Sequence, residues 1–338
     1  MDGGPGVVFA ALLVGMLTLA RGAAAEPQGV RIVTPIDLAA LPLIVARHDR
    51  LIEKQAQARG LGEVAVQWFN PNGGDPIDQL LNGQADFVAS LDLAQFIAAW
   101  DGKSDSPQEI RALAALVQMP YLLLSRNPAI ATIRDFTAGD RIAVSAVRTS
   151  QPAAMLEMAA ANEWGITHYD RLDPLTVARA DAAADDALQS AKGDIDAHFV
   201  RLPYADDEQT SDSVHRVMDS FDIAGPHSIA VLVTTAQFRD ANPALCAATA
   251  AAIAEADDFI ARNRGAAAEF FDKAAAADQD IPVEVLSDML GDPDLAYKPA
   301  PAGVLRLTGF LHQIGRVRHS PDTWQQLFFP EIYKLPGS

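Results

Sequence analysis

Cysteine occurs once in this sequence, at Cys246, which excludes an intramolecular disulfide framework. Its setting, Pro243-Ala244-Leu245-Cys246-Ala247-Ala248, is apolar and of helical type, which is the environment of a buried inert thiol and not of a nucleophile. Basic residues are also scarce. Lys plus Arg total 26 against 44 Asp plus Glu, the formal net charge is -18, and no basic cluster is longer than two. A nucleic-acid partner, which needs a basic face, is therefore excluded. No His-Glu-x-x-His, Gly-x-Ser-x-Gly, Gly-x-x-x-x-Gly-Lys or Cys-pair motif occurs, and the histidines at 48, 168, 198, 215, 227, 312 and 319 show no metal-ligand spacing. No metal and no cofactor is expected, and no catalytic motif supports an enzyme.

A long hydrophobic run is missing as well. The stretch 7–20 is apolar but falls short of the roughly 20 residues that cross a bilayer. It is followed by Ala23-Ala24-Ala25 before Glu26, the small residues that signal peptidase requires, although no Lys or Arg precedes it. Residues 1–25 are expected to be a cleaved signal peptide and the mature chain to start at Glu26 in the periplasm. No Cys follows the run, so a lipid anchor is not expected.

What remains is roughly 310 residues, more than one hydrophobic core usually organises, so two domains are expected. Strand-type and helix-type periods alternate: a β-branched run at 30–34 precedes a helical pattern at 38–52, and a strand at 64–69 leads through Asn72-Gly73-Gly74 into a helix with Asp75 as cap and Pro76 in its first turn. A third unit joins 85–89 to 91–100, and strands follow at 110–117 and 120–124. The pattern restarts with a strand at 141–145, a helix at 150–164 ended by Gly165, and strands near 175, 197–200 and 215–218. The apolar run 228–234 is placed to return the chain to the first domain, and helices are expected at 243–262, 265–276, 282–290 and 301–318. Repeated βα units predict α/β domains, each a mostly parallel sheet with helices on both faces, and place a ligand at the strand C-termini.

Asn72-Gly73-Gly74-Asp75-Pro76 with Leu80-Leu81-Asn82-Gly83-Gln84-Ala85-Asp86, Ser125-Arg126-Asn127 with Ile133-Arg134-Asp135-Phe136, Asp194-Ile195-Asp196-Ala197-His198-Phe199, Thr234-Thr235 with Phe238-Arg239, and the tail from Leu327-Phe328-Phe329-Pro330 to Ser338 occur in an order and spacing that resemble the nitrate/sulfonate/taurine-type substrate-binding proteins of ABC importers. The resemblance implies a two-lobed periplasmic binding protein type II fold. It divides the mature chain into a discontinuous first lobe, 26–124 and 235–338, and an inserted second lobe, 125–234, joined by two crossings that act as a hinge. It also implies a monomer that captures a small charged solute, of sulfonate, taurine or nitrate type, and passes it to a membrane permease. An enzyme or sensor on the same fold, and a binder of a thiamine-precursor-like heterocycle, are the alternatives.

The candidate ligand contacts follow from that cleft. A helix N-terminus receives anions through free N–H groups and a positive dipole end. Arg148, Thr149 and Ser150, which lead into a helix, are the expected anion site of the second lobe, with Arg148 as a bidentate fork. Asn72, Gly73 and Gly74 would let backbone approach the ligand. Phe199 and Arg201 stand at the end of a strand, and of the alternating pair His198 and Phe199 the aromatic is expected to face the cleft. Asp37 and Asp92, with Ser90 beside the latter, follow the first and third strands, where they cap helices or meet a cationic group of the ligand. His227, after Gly225-Pro226, is a further donor candidate.

Overall fold

The computed structural model describes Met1 and residues 29–71, 74–190, 193–205, 213–275 and 281–338. The expected signal peptide beyond Met1, and Asn72 and Gly73, lie outside the described residues. The chain begins with β1 (Gly29–Val33), a 3-10 turn at Leu38–Ala40, α1 (Leu41–His48) and α2 (Leu51–Ala58). The helix expected across 38–52 is broken because Arg50 adopts φ 54, a left-handed backbone between α1 and α2. Next come β2 (Ala65–Phe69), α3 (Pro76–Leu81), β3 (Phe87–Asp92), α4 (Leu93–Lys103) and β4 (Ile110–Gln118). The middle of the chain forms β5 (Leu122–Ser125), β6 (Ile142–Val144), α5 (Gln151–Trp164), β7 (Thr176–Ala178), α6 (Asp181–Gln189), β8 (Ala197–Val200), β9 (His215–Asp219) and α7 (Ser220–Ala224). Then β10 (Ser228–Thr235) leads into α8 (Ala236–Ala241), α9 (Pro243–Arg262), α10 (Arg264–Ala275), α11 (Val283–Met289) and α12 (Val304–Gln313).

The strands build two sheets, ordered β2-β1-β3-β10-β4 and β7-β6-β8-β5-β9. In the first, β1 is parallel to β2 and β3 while β10 runs against both β3 and β4. In the second, β6 is parallel to β7 and β8 while β5 runs against both β8 and β9. The two sheets thus share one topology, and in each the antiparallel strand is the first one after a crossing. The reason is geometric. Parallel strands of both lobes point their C-termini toward the seam, so a chain arriving across the seam must run away from it.

This topology shifts the boundaries expected from sequence. β5 enters the second sheet three residues before the expected border at 125, and β10, assigned to the inserted lobe by a border at 234, lies inside the first sheet. The crossings are therefore Met119-Pro120-Tyr121 and Gly225-Pro226-His227. Cys246 is buried in α9, in the core of the first lobe. Among the described residues no helix is long and apolar enough to span a membrane.

The crossings are tied to each other. The Tyr121 amide donates to Ser220 Oγ at 2.8 Å, the Ser220 amide donates to the Tyr121 carbonyl at 2.9 Å, and His227 stands 3.3 Å from the same Oγ and 2.8 Å from the Gly225 carbonyl. A carbonyl only accepts, so Nδ1 of His227 carries the proton and Nε2 accepts from the serine hydroxyl. Gly303, at the start of α12, adopts φ +68, and a Cβ there would stand 2.8 Å from the Cβ of His227.

Two predictions follow from the hinge. Gly303→Ala combines a left-handed backbone with this clash and is expected to cost about 2–3 kcal/mol in urea denaturation, whereas Gly83→Ala, left-handed in open space, should cost about 1 kcal/mol. Equal losses would show that the contact with His227 has no weight. Burial pushes the His227 ring down to about 4, below its unfolded value, so its contribution is complete above pH ~6.5 and is lost as pH falls through 4. The urea stability difference between the protein and His227→Gln should shrink by about 2 kcal/mol from pH 7 to pH 4; taking the difference removes the opposite drift of carboxyls with raised pKa.

Candidate functional site

The first wall of the seam is built at the ends of β1 and β3. Asp37 begins the 3-10 turn in an extended conformation, and its carboxylate accepts from the Ala40 amide at 2.8 Å. The same carboxylate accepts from Ser90 Oγ at 3.2 and 3.3 Å. Ser90 lies inside β3 at φ 57, where the left-handed backbone turns the strand end toward Asp37. The second wall comes from the other sheet. Arg201 directly follows β8, Asp181 opens α6 and Ser145 directly follows β6.

Arg201 joins the walls. Its Nη2 lies 3.4 Å from Asp37 Oδ2 across the seam and its Nε lies 3.5 Å from Asp181 Oδ2 within its own lobe. Burial opposes the charge, but the two carboxylates hold the guanidinium well above its ordinary value. Tyr121, enclosed on the crossing, has its phenol pushed up by burial and by Asp92.

Asp92 makes the second link. It caps α4 by accepting from Ala94 and Gln95 amides at 2.8 and 3.1 Å, and it accepts from the Gln151 amide, the first of α5, at 2.8 and 3.1 Å. One carboxylate therefore serves the N-termini of two helices in different lobes. Burial raises its pKa to about 6 against these amides and against Arg201. The fully buried Gln151 side chain adds a bond from Nε2 to the Ser228 carbonyl at 3.0 Å.

Between the walls lies a cavity of about 250 Å³, lined by Pro35, Ser90 and Asp92 of the first lobe, by Ser145, Asp181 and Arg201 of the second, and by Tyr121 between them. It adjoins a wider recess of about 710 Å³ through shared Pro76, Leu91 and Gln95. On the wall of the recess Arg316 pairs with the buried Glu157 of α5. Burial lifts Glu157 to about 8 against the pull of Arg316, with Asp173 adding to the rise. Among the described residues no group of three His, Cys, Asp or Glu side chains could hold a metal.

Of the residues proposed from sequence, Ser90, Asp92 and Arg201 line this cavity, and Asp37 pairs with Arg201 and Ser90 beside it. The others separate. Arg148, expected as an anion fork, is exposed, adopts φ 63 and donates from Nε to Asp173 at 2.9 Å; with Thr149 and Gly74 it lines the outer recess and not the cavity. Ser150 is buried as the cap of α5, bonded to Ala146 and Ala153, and faces no cavity. Phe199 is 1% exposed inside the core, because β8 is an interior strand covered on both faces, which corrects its assignment to the cleft. His227 is likewise buried in the hinge and is no cleft donor. Sequence reasoning missed Tyr121 and Asp181; the first stands beside Pro120 at the crossing and the second at a helix start, and neither position alone signals a cleft.

No protein-family model matches the chain, and no curated protein matches it. Solved structures do. The chain is similar to the periplasmic aliphatic sulphonate binding protein SsuA from Escherichia coli at 19% identity over 90% of this chain and 98% of that one, with a TM-score of 0.67. It is similar to the periplasmic nitrate-binding protein NrtA from Synechocystis PCC 6803 at 15% identity, over 89% and 84% of the two chains, with a TM-score of 0.65. A ligand-binding component of an ABC-type import system from Staphylococcus aureus, with zinc bound, matches at 14% identity over 91% and 99%, with a TM-score of 0.64. The chain has the two-lobed periplasmic binding protein fold.

The contrast between the two arginines is measurable. Arg201→Ala leaves Asp37 and Asp181 uncompensated in an enclosed site and is expected to cost about 3–5 kcal/mol of unfolding free energy. Arg148→Ala breaks a bond of a largely exposed side chain and should cost no more than about 1 kcal/mol. Chemical denaturation of both variants checks the ranking, and a larger loss at Arg148 would reverse the assignment.

Proposed function

We propose that this protein is the periplasmic solute-binding component of an ABC importer, which captures a small charged organic solute between its lobes and presents the closed form to a membrane permease. The observation that carries this reading is the cavity of about 250 Å³ walled by both lobes at the C-terminal ends of their parallel strands, with Arg201 and Asp92 reaching across the seam. Such a position suits capture, since a solute touching both walls favours the closed arrangement by its differential affinity for it. The likeness to sulphonate- and nitrate-binding proteins and to an import-system component supports the role. A cleaved signal over 1–25 would deliver the chain to the periplasm, and the expected unit is a monomer with 26–118 and 228–338 as one lobe and 122–224 as the other.

The role is tested by stripping the exported protein of bound molecules through unfolding and refolding, then titrating it with small-molecule fractions of spent culture medium. A fraction that raises the melting temperature, saturates at one molecule per chain and returns the molecule with unchanged mass is the expected result. A molecule returned chemically altered would make the protein an enzyme on this fold.

A further inference from the structure

We infer that the solute held in the interlobe cavity is a small organic cation, recognised by the carboxylates of Asp92 and Asp181. The inference rests on the solute-capture reading above and names the charge of what is captured. It starts from the donors and acceptors the cavity offers. Arg201 is the one cationic side chain among the described residues that line it, and its guanidinium is already set between Asp37 and Asp181. The positive ends of two helices also point to this place, but the Gln151 amide of α5 and the Ala94 and Gln95 amides of α4 all donate to Asp92. The guanidinium and both helix ends thus each face a carboxylate of the chain itself.

The arriving solute meets two carboxylates, Asp92 and Asp181, and one guanidinium that also pairs with Asp37. An anion would have to draw Arg201 away from its partners and leave them unpaired in an enclosed site, which is the costly outcome for buried charge. A cation completes the set. It also finds Ser145 and the aromatic wall of Tyr121, groups that accept a hydrogen bond or face a positive charge without competing for it. A second observation has the same sign. Gln151 is wholly buried beside Asp92, its Nε2 is fixed on the Ser228 carbonyl, and its Oε1 has no hydrogen-bond partner, so an acceptor is in excess at this point. The cavity volume suits a small cation, below drug size.

The test uses the full exported chain. Protein purified natively is unfolded and the released small molecules are identified by mass spectrometry; the stripped, refolded protein is then screened by thermal shift with ethanolammonium, tetramethylammonium and 4-aminopyridinium against nitrate and ethanesulfonate. A released molecule that is cationic at neutral pH, or melting temperatures raised by several degrees with a cation and by less than one degree with either anion, is the expected result. Asp181→Asn, which keeps the shape of the side chain, should then weaken binding of the effective cation at least tenfold in calorimetry. Release of an anion, a shift with nitrate or ethanesulfonate alone, or unchanged cation affinity in Asp181→Asn would overturn the charge assignment and leave solute capture standing. No released molecule and no shift with any probe would overturn solute capture itself.

Discussion

The structure turns on one carboxylate. Asp92 stands where the first amides of α4 and α5 converge, and it accepts hydrogen bonds from both. Each helix leaves its first N–H groups without an internal partner and carries a partial positive charge at that end. Two such ends brought together repel unless an anion lies between them. Asp92 is that anion, and because the helices belong to different lobes, satisfying them also brings the lobes together. Closure explains why Gln151 to Ala160 are buried on every side of α5, which packs on α7 of its own lobe and on α4 and α12 of the first lobe.

The convergence is a product of topology. Both sheets point the C-termini of their parallel strands at the seam, and both accept their crossing strand as the antiparallel member next to the edge. Asp92 ends β3 and Arg201 follows β8, the strand in the corresponding place of the second sheet. The same position in two similar halves thus carries opposite charges. Charge complementarity of this kind across a seam fixes register more than it adds stability, since desolvation offsets much of the attraction.

The sequence made the architecture legible because hydrophobic period and turn chemistry are local signals. The alternation of strand and helix, the Asp75-Pro76 start of α3 and the return of the chain at 228 are all visible in it. Asp37, Ser90, Asp92 and Arg201 were legible as strand-end residues for the same reason. Other positions were not, because local pattern does not say what stands opposite. Arg148 and Arg201 look alike in sequence; Asp173, brought up by the segment before β7, takes the first, while a cavity encloses the second. Phe199 failed for a related reason: alternation predicts that His198 and Phe199 face opposite sides, but β8 is interior and both sides are core. The lobe borders were misplaced by strands that change sheets, which carry no compositional mark.

Solute capture as proposed would require reopening, and the contacts across the seam are of a kind that allows it. The Asp37–Arg201 and Glu157–Arg316 pairs are enclosed, and enclosed pairs recover in Coulomb energy little more than they lose in hydration. Opening returns these charges to water, so it forfeits the attraction and regains the solvation. The pivot is treated differently. Tyr121, Ser220 and His227 form a neutral network of backbone and side-chain bonds that rotation of the lobes need not break, since all three lie on or beside the crossings. A neutral pivot beside a charged seam whose attraction is offset by desolvation would hold neither arrangement strongly, and that is the condition under which, in the proposed role, a single small solute, through contacts made only when the lobes meet, decides between them.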